Sequence, residues 1–129
     1  MKYLGVDYGA KRVGLAVSDD SNSYAFPLSV IENSGPEDLT AKIVSVCKEK
    51  KIDCVVVGES KDFNMNENEI MIQVKKFVSD LRKAGLAVVL HPEFLSSLEA
   101  ERLQGSNAMN DASAAAIILK SYLDTHNGK

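Results

Sequence analysis

At 129 residues the chain is long enough for one domain with a sizeable core but too short for two lobes that close on a substrate. We therefore predict a single domain over residues 1–129. The hydrophobic fraction of 45% is ordinary for a globular protein, and no apolar run reaches the roughly 20 residues of a membrane span. The net charge of -3 excludes a globally basic nucleic-acid-binding surface. A polyanionic partner would need local cations, or metal ions held by carboxylates.

The two cysteines and the N-terminus predict where the protein works. Cys47 and Cys54 lie in apolar stretches without the spacing of a metal or redox motif, so we interpret them as reduced core residues. The N-terminal residues lack the features of a signal peptide. These patterns predict a cytoplasmic protein that does not associate with membranes.

The first nineteen residues predict two apolar strands joined by a turn, and the first strand ends at a carboxylate, Asp7. Gly9 gives the turn conformational freedom, while Gly5 lets a backbone or a ligand come close to the strand. Asp7 is either a turn-forming residue or one of a set of metal ligands, and the hairpin alone does not decide between them. Lys11 and Arg12 are either phosphate-binding cations or the solvated tip of the hairpin.

The rest of the chain predicts an edge strand, then alternating helices and strands, and finally two helices. The strands are Ala25–Glu32, 54–58 and 86–90, and the helices are one begun by Ser34-Gly35-Pro36, 67–84, 96–103 and 111–124. A meander of strands followed by β-α-β crossovers predicts an α/β fold with a mixed five-stranded sheet flanked by helices. This is the ribonuclease H-like arrangement.

Three carboxylates occupy positions that such a sheet would bring together: Asp7 at the end of the first strand, Glu93 just past the last strand, and Asp111 at the start of the terminal helix. Two-metal phosphodiester hydrolysis needs oxygen ligands that hold two ions about 4 Å apart. Each acid also has a structural explanation, as a turn residue, a solvated acid and a helix cap respectively. Their coincidence predicts a catalytic site. His91 is either a proton carrier or further ligand there, or simply the end of the strand.

Over essentially its whole length the chain resembles the YqgF/RuvX family of Holliday junction resolvases and pre-16S ribosomal RNA maturation nucleases, which have an RNase H-like fold. The motifs that carry the resemblance lie at residues 5–19, 25–28, 55–58, 93–97, 99–103 and 111–115. The resemblance implies that Asp7, Glu93 and Asp111 are catalytic acids that bind Mg²⁺ or Mn²⁺.

The chain departs from the family pattern in ways that affect phosphate binding. Pro92-Glu93-Phe94 stands where the family usually has Asp-Glu-Arg, and Gly58-Glu59-Ser60 stands where it has Gly-Leu-Pro. The segment 104–110 carries no cation, although the family segment is longer and rich in Lys and Arg. Losing several phosphate contacts should weaken nucleic-acid affinity by orders of magnitude at physiological salt.

The sequence therefore predicts a metal-dependent endonuclease for structured nucleic acid, with trimming of the 5' end of pre-16S ribosomal RNA preferred over junction cleavage. Resolving a DNA junction calls for a broad basic surface, which this acidic chain does not indicate. A catalytically weakened or noncatalytic domain that binds RNA or a ribosomal particle is an alternative, as is a Holliday junction resolvase. An actin-like phosphotransferase would need a second lobe. Monomer and dimer both remain open.

Overall fold

The structure is a computed structural model that describes residues 2–9, 11–19, 21, 23–60, 69–93 and 109–127. These ranges contain five strands and three helices. They are β1 (Tyr3–Asp7), β2 (Arg12–Ser18), β3 (Ala25–Glu32), α1 (Pro36–Lys50), β4 (Cys54–Ser60), α2 (Glu69–Lys83), β5 (Val88–Glu93) and α3 (Met109–Asn127). In this part of the chain, no helix combines the length and the apolar character needed to cross a membrane.

The five strands form one mixed sheet in the order β3-β2-β1-β4-β5. β2 pairs antiparallel with both β1 and β3, whereas β4 pairs parallel with both β1 and β5. The predicted five-stranded sheet is thus confirmed, including the edge position of the strand that contains Pro27. A proline at an edge is tolerated because its missing N–H removes no bond from the interior of the sheet.

Helices cover both faces of the sheet. One face packs beneath α1 and α2, where Leu4 and Val6 of β1 join a buried cluster with the apolar stripes of the two helices. On the other face α3 packs on Ala16 and Val56. Side chains along a strand alternate between faces, so Val55 and Val57 enter the first cluster while Val56 enters the second. β4 is therefore covered on both sides.

The ends of α1 and α2 follow their local turn chemistry. Gly35 precedes α1 with a φ of 120°, a conformation that favours glycine, and Pro36 occupies the first turn. At the far end Lys51 adopts the left-handed conformation, and its backbone N–H donates to the Cys47 carbonyl oxygen. Gly85 ends the α2 segment with a φ of 96°. The predicted start of the first helix at Gly35 and Pro36 is confirmed.

The predicted limits of the last strand and the last helix are wrong. β5 runs over Val88–Glu93 rather than 86–90, so Glu93 is the last residue of the strand and His91 does not end it. The strand continues because β4 itself extends to Ser60 and pairs with it there. The terminal helix begins two residues before Asp111 and continues beyond 124 to Asn127. The predicted helix over 96–103 lies outside the described residues.

Candidate active site

Asp7 is the last residue of β1, where it pairs with Gly14 of β2 and is half-buried. The turn that follows is tight. A Cβ atom added at Gly9 would collide with the Arg12 carbonyl oxygen, so no larger residue fits without moving the backbone. Lys11 and Arg12, the candidate phosphate-binding residues, follow Gly9 in the chain and are exposed. The structure therefore places one candidate acid and two candidate phosphate-binding cations within six residues of chain.

Asn33, which the sequence analysis did not single out, fastens this turn to the segment before α1. Its Nδ2 donates to the Gly9 carbonyl oxygen at 2.9 Å, and its backbone N donates to the Lys11 carbonyl oxygen at 2.9 Å. An asparagine before Ser-Gly-Pro is a local signal for a turn. The contact with Gly9 spans 24 residues of the chain, so no local sequence pattern predicts it.

Glu93 ends β5, and its backbone is the register partner of Ser60 at the end of β4. Because β1, β4 and β5 run parallel, their carboxyl ends lie at the same edge of the sheet. Val6 of β1 is the register partner of Val57 in β4, and Val57 is the register partner of Leu90 in β5. The positions after them, 7, 58 and 91, are thus level across the three strands, and position 93 lies two residues farther along.

The helix α3 crosses the sheet in the direction opposite to β1. The ring of Tyr122 packs on that of Tyr3 with centroids 5.5 Å apart, and the next contact along β1 is at Gly5. A Cβ atom at Gly5 would lie 2.7 Å from Leu119 Cβ and 2.9 Å from the Ala115 carbonyl oxygen. Residues later in β1 therefore lie beside residues earlier in α3.

This geometry directs the first turn of α3 toward the end of β1. The two residues from Gly5 to Asp7 advance the strand by about 6.6 Å, which corresponds to about four residues of helix. Subtracting four from helix positions 115 and 119, which flank Gly5, gives 111 and 115, so the end of β1 lies near the first two turns of α3. The carboxyl ends of β1 and β5 thus lie at one edge of the sheet, and α3 approaches that edge with its N-terminal end.

His91 lies within β5 and contacts α3. Its Nε2 is 2.9 Å from Ser121 Oγ, and its ring meets that of Tyr122 edge-on with centroids 5.8 Å apart. Burial raises the pKa of Tyr122, with smaller contributions from Cys54 and Tyr3, so the phenol stays protonated at neutral pH. The histidine thus joins the strand that ends at Glu93 to the helix that begins near Asp111.

Several cationic side chains of the helices bind neighbouring carboxylates or a backbone carbonyl oxygen. Three lysines form ion pairs one helical turn away, namely Lys42 with Asp38, Lys76 with Asp80 and Lys120 with Asp124. The Arg82 guanidinium donates to the Val88 carbonyl oxygen at 2.9 Å. Lys11 and Arg12 lie beside the end of β1, where the sequence predicts a phosphate contact.

Among the described side chains, no group of three His, Cys, Asp or Glu is placed to hold a metal ion. Asp7 belongs to this described set, whereas the side chains of Glu93 and Asp111 lie outside it. The assignment of the three acids as metal ligands therefore stays a prediction. Its structural support is the position of the backbone segments that carry them.

Comparison with known protein families shows which family this chain belongs to. The model of the family described as "RuvX: Holliday junction resolvase" matches residues 1–125. The chain belongs to the RuvX family. A protein of Nitratidesulfovibrio vulgaris named "Putative pre-16S rRNA nuclease" is 39% identical, with 96% of this chain and 94% of that protein covered. A protein of the same name from Oleidesulfovibrio alaskensis is 40% identical, with 96% and 92% covered. The predicted family, one of nucleases and hence of phosphodiester hydrolases, is confirmed.

Solved structures agree on the fold. The Thermus thermophilus RuvC structure superimposes with a TM-score of 0.65 at 18% identity, with 99% of this chain and 97% of that chain covered. RuvC in complex with its Holliday junction substrate gives a TM-score of 0.63, also at 18% identity, with 99% and 96% covered. Both have the RNase H-like fold, so the predicted fold class is confirmed.

Proposed function

We propose that this RuvX family member is a divalent-metal-dependent endonuclease that trims the 5' end of pre-16S ribosomal RNA. The observation that carries the proposal is that β1 and β5 end at one edge of the sheet, which α3 approaches with its N-terminal end. The names of the relatives support the choice of substrate. Work on this RNA would place the protein in the cytoplasm, as the sequence predicts.

In this proposal Asp7, Glu93 and Asp111 hold the metal ions. Carboxylate oxygens are the hard ligands that Mg²⁺ and Mn²⁺ prefer, so the chemistry of this donor set fits these ions. Two bound ions would supply an activated water molecule and stabilise the leaving oxygen.

The chain's own contribution is to hold these ligands in place and to orient the RNA. The β1–β2 pairing and the tight turn at Gly9 hold the backbone of Asp7 before any substrate arrives. Lys11 and Arg12 then contact phosphates next to the scissile bond. Two cations on a chain of net charge -3 provide little affinity on their own. Most of the binding energy therefore comes from the ribosomal particle that contains the precursor.

Specific features favour two other functions. Pro92 and Phe94, which flank Glu93 in the sequence, and a segment 104–110 that carries no cation favour a noncatalytic domain that binds RNA or a ribosomal particle. The presence of all three acids opposes it. The description of the family model favours a junction resolvase, and the acidic charge of the chain opposes that function.

The decisive experiment is Asp7→Asn, assayed for Mg²⁺- or Mn²⁺-dependent cleavage at the 5' end of pre-16S RNA in precursor particles. We expect cleavage to fall by at least about 100-fold, because a ligand charge is lost while the side chain keeps its shape. The matched control is Asp19→Asn at the opposite end of the sheet, where the carboxylate accepts from Ser21, Ser23 and Tyr24. This control should cleave like the wild type.

Each other result has a distinct meaning. Equal cleavage by wild type and Asp7→Asn would show that the activity arises elsewhere. If the wild type binds precursor particles without cleaving them in either metal, the noncatalytic function is correct. Cleavage confined to four-way DNA junctions would establish the resolvase.

A further inference from the structure

We propose that Asn33 is a positioning residue for the nuclease, which holds the turn after Asp7 in the conformation that metal and phosphate binding require. This inference rests on the proposed function. Asn33 affects the rate of the reaction as well as the stability of the fold. Asn33 acts through the backbone of the turn and not through a contact with the substrate.

Three hydrogen bonds of Asn33 join the β1–β2 turn to the start of α1. The side-chain Nδ2 donates to the Gly9 carbonyl oxygen at 2.9 Å, and the backbone N donates to the Lys11 carbonyl oxygen at 2.9 Å. On the other side, Asn33 Oδ1 accepts from the Gly35 backbone N at 3.3 Å. The residue is half-buried between these segments. It therefore uses the donor and the acceptor of its amide on two different partners.

The position of this turn matters because of what it carries. Asp7 precedes Gly9 by two residues, and Lys11 and Arg12 follow it closely. A shift of the turn would move the proposed metal ligand and both proposed phosphate contacts together. Catalytic groups have to be held within about 0.5 Å of their productive positions. Two hydrogen bonds to consecutive parts of the turn, one from the side chain and one from the backbone, restrict such a shift.

The two halves of the Asn33 amide can be separated by substitution. Asn33→Asp keeps an acceptor for the Gly35 N–H but replaces the donor to Gly9 with a carboxylate oxygen that faces a carbonyl oxygen. A negative charge near the start of α1 is also favourable to that helix. Asn33→Ala removes both interactions. Asp at this position thus preserves the helix contact and selectively loses the contact with the turn.

The experiment compares Asn33→Ala, Asn33→Asp and the control Asp19→Ala, which disrupts the β2–β3 turn at the opposite end of the sheet. Each variant is assayed for kcat and KM on pre-16S precursor particles, for the thermal midpoint, and for backbone amide exchange at Gly9, Lys11 and Arg12. We expect both Asn33 variants to lose 10- to 100-fold in kcat with little change in KM. Asn33→Asp should unfold at or above the midpoint of Asn33→Ala, and Asp19→Ala should keep the wild-type kcat.

A purely structural role would give another pattern. Wild-type kcat in Asn33→Asp, or a kcat that follows the thermal midpoint across all three variants, would overturn the proposal. If the wild-type protein cleaves nothing, the proposed function fails, and amide exchange then decides the positioning role by itself. Faster exchange at the turn in both Asn33 variants, with α1 still protected in Asn33→Asp, would support that role, and unchanged exchange would refute it.

Discussion

At the scale of single residues, two glycines set how closely α3 approaches the sheet, and their surroundings differ. A Cβ atom at Gly5 would lie 2.7 Å from Leu119 Cβ and 2.9 Å from the Ala115 carbonyl oxygen, both of which move with the helix backbone. A Cβ atom at Gly58 would lie 2.6 Å from Ile118 Cδ1, the end of a side chain. The first clash requires the whole helix to shift, whereas the second requires only a rotamer change or the loss of a methyl group.

We therefore expect Gly5→Ala to lower the free energy of unfolding by about 3 kcal/mol and Gly58→Ala by about 1 kcal/mol, measured by urea denaturation. Ile118→Val removes the clashing methyl group, so it should cost less in the Gly58→Ala background than in the wild type. That difference should be at least about 0.5 kcal/mol. Leu119→Ala should not rescue Gly5→Ala, because the Ala115 carbonyl oxygen stays in place. Equal costs for the two alanine variants would contradict this packing of α3.

At the scale of whole elements, the sequence predicts those parts whose limits are set locally. The limits of β3 are predicted correctly, and so is the start of α1, which Gly35 and Pro36 mark in the chain itself. The predicted β5 ends too early because its apolar run stops at Leu90, while its observed end depends on pairing with β4, a partner about thirty residues earlier in the chain. Patterns within one segment carry no information about such a pairing.

The candidate site divides in the same way. Asp7 and the cations beside it belong to a local motif, so the sequence alone marks them as candidates. The Asn33 contact to the turn and the His91 contact to Ser121 span 24 and 30 residues, and only the folded chain brings these groups together. Gly5 is an intermediate case. The sequence predicts a close approach there, and the structure shows that α3 makes it.

The packing of α1 on the sheet has a consequence for stability at alkaline pH. Burial raises the pKa of the Cys47 thiol to about 11. In the unfolded chain this thiol loses its proton at about pH 8.5, so between these values the folded state binds more protons than the unfolded state. The free energy of unfolding should therefore fall as pH rises through this window, by no more than about 3 kcal/mol for this group.

Cys47→Val should reduce that alkaline loss of stability when urea denaturation is compared at pH 8 and at pH 11. Part of the loss should remain, because burial and the charge of Asp53 also raise the pKa of Cys54. The same burial should make both thiols of the native protein slow to react with a thiol reagent and quick to react in denaturant. An identical pH dependence in wild type and Cys47→Val would show that the Cys47 thiol does not contribute.

At the scale of the whole molecule, charge limits how the protein can bind nucleic acid. The chain has a net charge of -3, and three helical lysines pair with acids in i,i+4 ion pairs. Such pairs contribute little to stability, but each places a carboxylate beside a cation that would otherwise attract phosphate. The net charge and these pairs predict a low affinity for a naked nucleic acid, to which Lys11 and Arg12 are the proposed contributors.

We accordingly expect weak binding to a naked four-way DNA junction at about 150 mM salt, with a shallow dependence on salt. Two phosphate contacts correspond to a slope of about -1.8 in a plot of log K against log salt concentration, and Lys11→Ala should reduce its magnitude by about 1. Lys120→Ala, which removes an ammonium group paired with Asp124, should leave the slope unchanged. Tight binding with a slope steeper than about -5 would require many more phosphate contacts and would favour the resolvase. A shallow slope combined with tight binding to precursor ribosomal particles would instead indicate a nuclease whose affinity comes from the particle.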